Sequence, residues 1–302
     1  MSKDNLPFIS VITLNYNQTA VTCEFLESAR RLTYPYYEIL VCDMASAEDP
    51  TDQILAGNYL HTRLLLCNKN LGFAGGNNWG IRQAKGDYIF IVNNDTEVTP
   101  DLLENLVRPF SNDPRIGVTC PKIKFYYQPA LIQYAGFNPM NPYTGRTSTI
   151  GAYEEDKGQY DGSKPTYGAH GCAMMVSRSV IDKLGMFPEK FFLYYEEWDW
   201  SARILRAGYK IWYTGNALIY HKESVSIGKT NPIKVYYHTR NRILYMRRNV
   251  NVFQMTVFVL FFGLFTMPKS IIGYLAHRQV QELKYFLKGI FWNLYTSHYS
   301  KV

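Results

Sequence analysis

The sequence predicts an α/β fold, a mostly parallel sheet flanked by helices. Three observations carry the prediction. Short apolar runs alternate with helix-period segments through residues 1–120, the order that builds parallel strands joined by crossover helices. Most of these runs are followed at once by Asn or Asp, as expected where strand ends open on a ligand cleft. A chain of 302 residues at 47% apolar composition can bury a large core.

The elements follow in order. Residues 8–14 form a strand ending at Asn15, and 18–31 a helix whose Val21, Phe25, Leu26 and Ala29 share one face. A second strand, 37–42, ends at Asp43. A third, 63–67, leads into the Gly-rich stretch 70–78, placed before a helix over 77–84. A fourth, 88–92, ends in Asn93-Asn94-Asp95. Residues 122–170 are rich in Gly, Pro and Tyr and read as an insertion that shapes a substrate site. Then come a buried strand at 172–176, a helix at 196–207 closed by Gly208, and short strands at 210–213 and 217–220 leading to His221.

Charge separates the C-terminal quarter from the rest. Residues 222–302 hold 12 Lys and Arg against Glu223 and Glu282, a balance of +10 that leaves −3 for the remainder of a chain whose total is +7. The same quarter holds the most hydrophobic stretch, 252–267. Basic and hydrophobic together point to an anionic membrane surface and away from nucleic acid. Arg240, Arg242, Arg247 and Arg248 are expected to meet anionic lipids. The apolar run is short for a spanning helix and is expected to be interrupted at Pro268 and Lys269, although 270–276 continues apolar and leaves a tilted span open. Further on, Leu283, Phe286, Leu287, Ile290, Phe291 and Leu294 fall on one helical face, suited to lying in the plane of the interface. The plainer alternative is a helical pair packed on the core or in a dimer. Two regions result: a catalytic domain over 1–230, and a basic, hydrophobic helical membrane-association region over 231–302. The 16% aromatic content, with 25 Tyr and 17 Phe, suits carbohydrate and interface contacts as well as core packing. The five cysteines form no CxxC pair and read as reduced core thiols, and MSKDNLPFIS has no apolar stretch of the secretory kind.

Several residue groups suit chemistry. Asp95, just after a buried strand, can bind Mg2+ or Mn2+ with phosphate oxygens and water filling the other positions. The glycines at 72, 75 and 76 allow close backbone approach, and a helix N-terminus there would favour phosphate; a tight loop is the plainer reading. The pattern is neither GxGxxG nor a P-loop, which weakens redox-dinucleotide and ATPase readings. Glu196, Glu197 and Asp199 follow an aromatic run, a setting in which a carboxylate can act as general base on a sugar hydroxyl. His221 is either structural or a metal ligand.

The pattern resembles family 2 glycosyltransferases of the GT-A fold, and within them the bacterial rhamnosyltransferase branch. The matching pieces are VITLNYN at 11–17, ILVCDMAS at 39–46, NKNLGFAGGNNWGI at 68–81 and GDYIFIVNNDTEV at 86–98. GAHGCAMMVSRSVIDKLGMFPEKFF at 168–192, YYEEWDWSARILRAGYKI at 194–211 and YHKESVS at 220–226 complete the set. The resemblance implies inverting transfer by single displacement. Thr13, Asn15 and Asp43 would hold the nucleoside, and Asn70, Gly72, Asn77 and Asn94 would surround the nucleotide-sugar. Asp95 would bind the metal at the DxD-like position, with His221 as second ligand. That motif departs at Asn93, which leaves Asp95 most of the charge. Glu197 matches the catalytic-base position, more commonly Asp, so Glu196 and Asp199 stay as alternatives.

The resemblance implies transfer of L-rhamnose from dTDP-rhamnose to a lipid-linked or polysaccharide acceptor, in cell-surface glycan synthesis at the cytoplasmic face of the membrane. The enzyme would be peripheral or monotopic, and a homo-oligomer is allowed for. Galactofuranose, N-acetylglucosamine or galactose are alternative donor sugars. Two readings outside this activity are a nucleotidyltransferase, disfavoured by Asn15-Tyr16-Asn17-Gln18 after the first strand, and a non-catalytic sugar-nucleotide-binding scaffold.

Overall fold

The computed structural model describes residues 6–222 and 231–300. Residues 223–226 of the 220–226 motif, and position 230 at the expected boundary, lie outside the described residues. The first half runs β1 (Ile9–Asn15), α1 (Thr19–Ala29), β2 (Tyr37–Met44), α2 (Thr51–Ala56), β3 (Thr62–Cys67), α3 (Gly72–Gln83), β4 (Tyr88–Val92), β5 (Thr96–Val98) and α4 (Leu102–Asn112). There follow β6 (Ile116–Phe125), β7 (Ile132–Tyr134), β8 (Lys164–Thr166), β9 (Ala173–Ser177), α5 (Arg178–Leu184), α6 (Glu196–Arg206) and β10 (Lys210–His221). The C-terminal helices are α7 (Pro232–Asn249), α8 (Val252–Phe261), α9 (Met267–Ala276) and α10 (Val280–Tyr295).

The strands form one sheet in the order β3-β2-β1-β4-β9-β6-β10-β5, with β7 on β6 and β8 on β10. The run β3-β2-β1-β4 is parallel. β1 and β2 are buried almost throughout, as central strands covered on both faces must be. β9 enters antiparallel between β4 and β6, so the second half of the sheet is mixed. β10 is one strand where two short ones were expected, because it keeps pairing with β6 across a register shift between Thr214 and Leu218. The strand order brings the ends of β1, β2 and β4 to one edge.

α3 starts at Gly72, five residues before the helix expected at 77. Its glycines are packing contacts. A Cβ on Gly76 would sit 2.9 Å from Met44 Sδ, and one on Gly80 2.8 Å from an Ile12 methyl. Glycine there lets α3 lie close on β1 and β2. The expectation that this helix end receives phosphate is not met. The amides of Phe73 and Ala74 donate to the Phe192 carbonyl at 2.7 and 3.3 Å, so the protein itself caps the helix.

The arginines expected to face lipid do not. Arg240 and Arg242 on α7 are 6% and 8% exposed. Arg240 donates to the carbonyls of Lys190 and Phe191, and Arg242 to that of Thr144. Arg247 binds Asn293 and the Thr296 carbonyl, while Arg248 makes a two-pronged pair with Asp199 at 2.7 and 3.0 Å. Pro268 does not interrupt the apolar helix either. A π-helical turn, Phe262–Thr266, joins α8 to α9, and its shifted hydrogen bonds accommodate the missing amide and the ring. One helix therefore runs Val252–Ala276, long and apolar enough to cross a membrane. Phe258, Phe262 and Thr266 point inward, while Val252, Phe253, Val259, Leu260, Leu264, Phe265, Ile272 and Leu275 are exposed. The single apolar face expected on α10 is split. Phe286 is buried and Gly289 approaches the α7 backbone, but Phe291 and Leu294 remain bare.

Candidate active site

At the ends of β1, β2 and β4, polar side chains form one continuous network. Asn15 donates to Asp43 at 2.7 Å and accepts from Thr22 at 2.8 Å. Asn94 donates to Thr22 at 2.9 Å. Ser46 donates to Asp43 through both its hydroxyl, 2.5 Å, and its amide, 3.0 Å. Asn15 and Asp43 are buried, and Thr13 beside them has a buried hydroxyl with no partner. Buried polar groups are normally satisfied, so an orphaned Thr13 hydroxyl at this edge is a group available to a ligand. The chain binds Asp43 firmly enough to fix its carboxylate for recognition.

Asp95 and His221 come together because β5 pairs antiparallel with β10, setting Thr96 opposite His221. Asp95 Oδ1 lies 3.2 Å from His221 Nε2, yet it is buried and makes no hydrogen bond. The distance satisfies an ion pair, but the directional requirement of a hydrogen bond is not met. His221 Nδ1 lies 2.9 Å from Gln133 Oε1 on β7. With that amide oxygen accepting, Nδ1 carries a proton, and an Nε2 that gives up its own proton would present a lone pair beside the carboxylate. An imidazole and a carboxylate aimed side by side, the imidazole steadied by a second partner, is the donor set of a divalent-cation site. Among the described residues no group of three or more His, Cys, Asp or Glu is arranged to hold a metal ion. Two protein ligands suffice where phosphates and water complete the shell. Without a cation, burial disfavours the imidazolium, but Cys172 and Asp95 outweigh it and hold His221 well above its ordinary value.

The three acids of α6 diverge. Asp199 points to α7, where Arg248 and Asn249 bind it; it is 1% exposed and already fully engaged. Glu196 is buried near Arg240, raised well above the carboxyl range by burial and then by the charge of Glu197. Glu197 turns the other way. A Cβ on Gly171 would meet its side chain and Phe73 at 3.8 Å. Burial pushes Glu197 up to about 7, against backbone hydrogen bonds that pull it down. The next residue, Cys172, interacts with His221 and Asp95, and its carbonyl accepts from Asn93. The loop 168–172 thus approaches Glu197 at Gly171 and the Asp95–His221 pair at Cys172.

The remaining expected residues are spread around this frame. Asn70 is exposed, and its side chain accepts from the Gly72 amide at 2.8 Å. Gly72 has φ +69° and presses on the Phe192 carbonyl, which a Cβ would meet at 2.5 Å. Asn77 is buried inside α3, bound to the Phe73 carbonyl. Sequence reasoning missed Gln133 and Asn241. Asn241 donates to the carbonyls of Phe191, Leu193 and Tyr194, in a loop where Phe192, Tyr194 and Tyr195 all have positive φ. Nothing local in the sequence marks either amide, since each acts on a segment at least 47 residues away.

The sequence model for glycosyl transferase family 2 matches residues 10–185. The chain is 24% identical over 258 residues to the N-acetylglucosaminyl-diphospho-decaprenol L-rhamnosyltransferase of Mycobacterium tuberculosis, covering 79% of this chain and 83% of that one. Its fold matches that of the mannosyltransferase PcManGT from Pyrobaculum calidifontis in complex with GDP-Man and Mn2+. That TM-score is 0.60 at 16% identity, covering 96% and 88% of the two chains. It also matches TarS 1–349 of S. aureus, with a TM-score of 0.55 at 18% identity over 93% and 80%.

Proposed function

This chain belongs to glycosyl transferase family 2, has the GT-A fold and is a glycosyltransferase, and from that premise we propose an inverting, metal-dependent transfer of L-rhamnose from dTDP-rhamnose to a lipid-linked acceptor. The observation that carries the chemistry is that adjacent residues of loop 168–172 reach both groups, Gly171 approaching Glu197 and Cys172 the Asp95–His221 pair. The Mycobacterium relative's donor sugar and diphospho-lipid acceptor support the choice of substrates.

In this reading the base of the nucleoside lies against Thr13, Asn15 and Asp43, with Asn94 and the 70–77 segment around the nucleotide-sugar. Asp95 and His221 would hold a divalent cation, which when bound would supply positive charge against the departing diphosphate. Glu197, desolvated and poised near neutrality, accepts the proton of the acceptor hydroxyl as that oxygen attacks the anomeric carbon. Single displacement inverts the anomeric centre, and no covalent sugar intermediate forms. Asp199 holds α6 to α7, and Glu196 shares the buried charge of the pair.

The bare face of helix Val252–Ala276 supports a monotopic membrane seat, which this reading puts on the cytoplasmic face. Its apolar side chains would enter the acyl region while Phe258, Phe262 and Thr266 stay packed on the protein. Exposed Arg278 and Lys284 would meet anionic headgroups. The test is a donor screen with Mg2+ or Mn2+ and an N-acetylglucosaminyl-diphospho-polyprenol. Rhamnosylated lipid is the expected product. Efficient transfer from a UDP-sugar, with dTDP-rhamnose inert, would overturn the donor.

A further inference from the structure

A basic cleft lies between α7, α10 and the inner side of helix Val252–Ala276, away from the Asp95–His221 pair. It has two adjoining lobes of about 330 and 510 Å3, which share Arg146, Thr266, Ser270 and Tyr274. Lys234 lines the smaller lobe and Lys269 the larger, and no acidic side chain lines either. Among the described residues, Arg146, Lys234 and Lys269 have no acidic partner. Cations gathered around a cavity of this size, without an ion-pair partner among the described residues, favour an anion.

Two further observations point to a ligand here. The Thr266 hydroxyl is buried, its residue 8% exposed, and has no hydrogen-bond partner. It sits in the π turn Phe262–Thr266, an irregularity that recurs at functional sites. The larger lobe is walled by Phe261 and Phe265, and Phe265 continues onto the bare apolar face of the helix. The cleft therefore joins a cationic end to a path leading into lipid. It also reaches the catalytic helix, because Tyr195, two residues before Glu197, lines the smaller lobe. Arg242 forms part of that wall, committed to the Thr144 carbonyl and lying over the Phe258 and Phe262 rings.

We propose that this cleft seats the diphosphate of a polyprenyl-diphosphate-linked acceptor. Arg146, Lys234 and Lys269 bind the anion, Thr266 donates to it, and the prenyl chain leaves along Phe261 and Phe265. The proposal rests on the lipid-linked acceptor argued above and fixes where that acceptor is held. Arg146 suits the role because its guanidinium can bind two phosphate oxygens at once.

The test compares two acceptors carrying the same sugar and alkyl chain, one through a diphosphate and one as a phosphate-free glycoside. The enzyme is full-length, in neutral detergent. The double substitution Arg146→Ala/Lys269→Ala should raise KM for the diphosphate acceptor at least tenfold. KM for the glycoside and for the donor should move less than twofold. Inorganic pyrophosphate should compete with the diphosphate acceptor in the wild type and lose that effect in the variant. Equal KM values for variant and wild type overturn the cleft while leaving the enzymatic reading intact. So does a variant that keeps its acceptor KM but loses binding to phosphatidylglycerol vesicles, which would assign the cations to bulk lipid. A wild type that glycosylates the glycoside and refuses the diphosphate lipid overturns the lipid-linked acceptor and the cleft together.

Discussion

Glu197→Gln separates a catalytic carboxylate from a structural one, because the two roles predict opposite effects on stability. The Glu197 carboxyl rises from an ordinary 4.5 to about 7, chiefly through burial. The folded state thus holds this proton more tightly than the unfolded chain does. Stability falls as pH rises from about 4.5 to 7, and above pH 7 the ionised side chain costs the fold roughly 3 kcal/mol. Gln keeps the shape and removes the charge. At pH 8 the variant should therefore melt higher than wild type, by on the order of 5 °C. Its turnover should fall about 10²-fold or more, since the base is gone. Wild-type kcat/KM should climb about tenfold per pH unit below pH 7 and level above it, a limb missing from the variant. The assay is product formation from pH 5.5 to 8.5 beside thermal melts at pH 5 and pH 8. A variant with wild-type turnover, or one less stable than wild type at pH 8, would refute the reasoning.

Asp95→Ala should abolish transfer in a protein that still folds, and a chelator should do the same to the wild type until Mn2+ or Mg2+ is restored. Gln133→Leu leaves His221 without its ring partner and should weaken metal affinity about 10–100-fold, read as a higher metal concentration for half-maximal rate. Replacing Leu264 and Phe265 together by Glu should free the protein from anionic liposomes without lowering its melting temperature, as both side chains are exposed; retained vesicle binding would count against the membrane seat. Asn241→Ala orphans carbonyls of the 191–194 loop and should cost about 1–3 kcal/mol, measured by denaturant unfolding.

The parallel half of the fold was legible because its signals are local. Runs of β-branched and aromatic residues close on Asn or Asp at 15, 43 and 93, and the strands stand where those runs do. Glycine misled at 72–76. In one dimension a Gly-rich stretch reads as a loop, whereas here the missing side chains let α3 settle on Ile12 and Met44. The α7 arginines misled for a related reason. Positive charge suggests anionic partners, but Arg240 and Arg242 bind backbone carbonyls, which have no signature in the sequence. The acids at 196, 197 and 199 were visible as a group. Which of them faces loop 168–172 depends on where α7 packs, and that required three dimensions.

The carbonyls of residues 190–194 are a meeting point whose meaning is thermodynamic. Phe192 caps α3, Phe191 and Tyr194 receive Asn241, and Lys190 receives Arg240, whose own carbonyl accepts from Asn293 of α10. The sheet-bound helix, the start of α6 and the C-terminal helices thus share one set of bonds. Such an arrangement melts cooperatively. Heat should produce a single transition, and amide exchange in α7 should track exchange in α3. A chain cut after Asn249 would lose the α10 partners of Arg240 and Arg247, so removing the C-terminal helices should loosen the 190–194 loop as well.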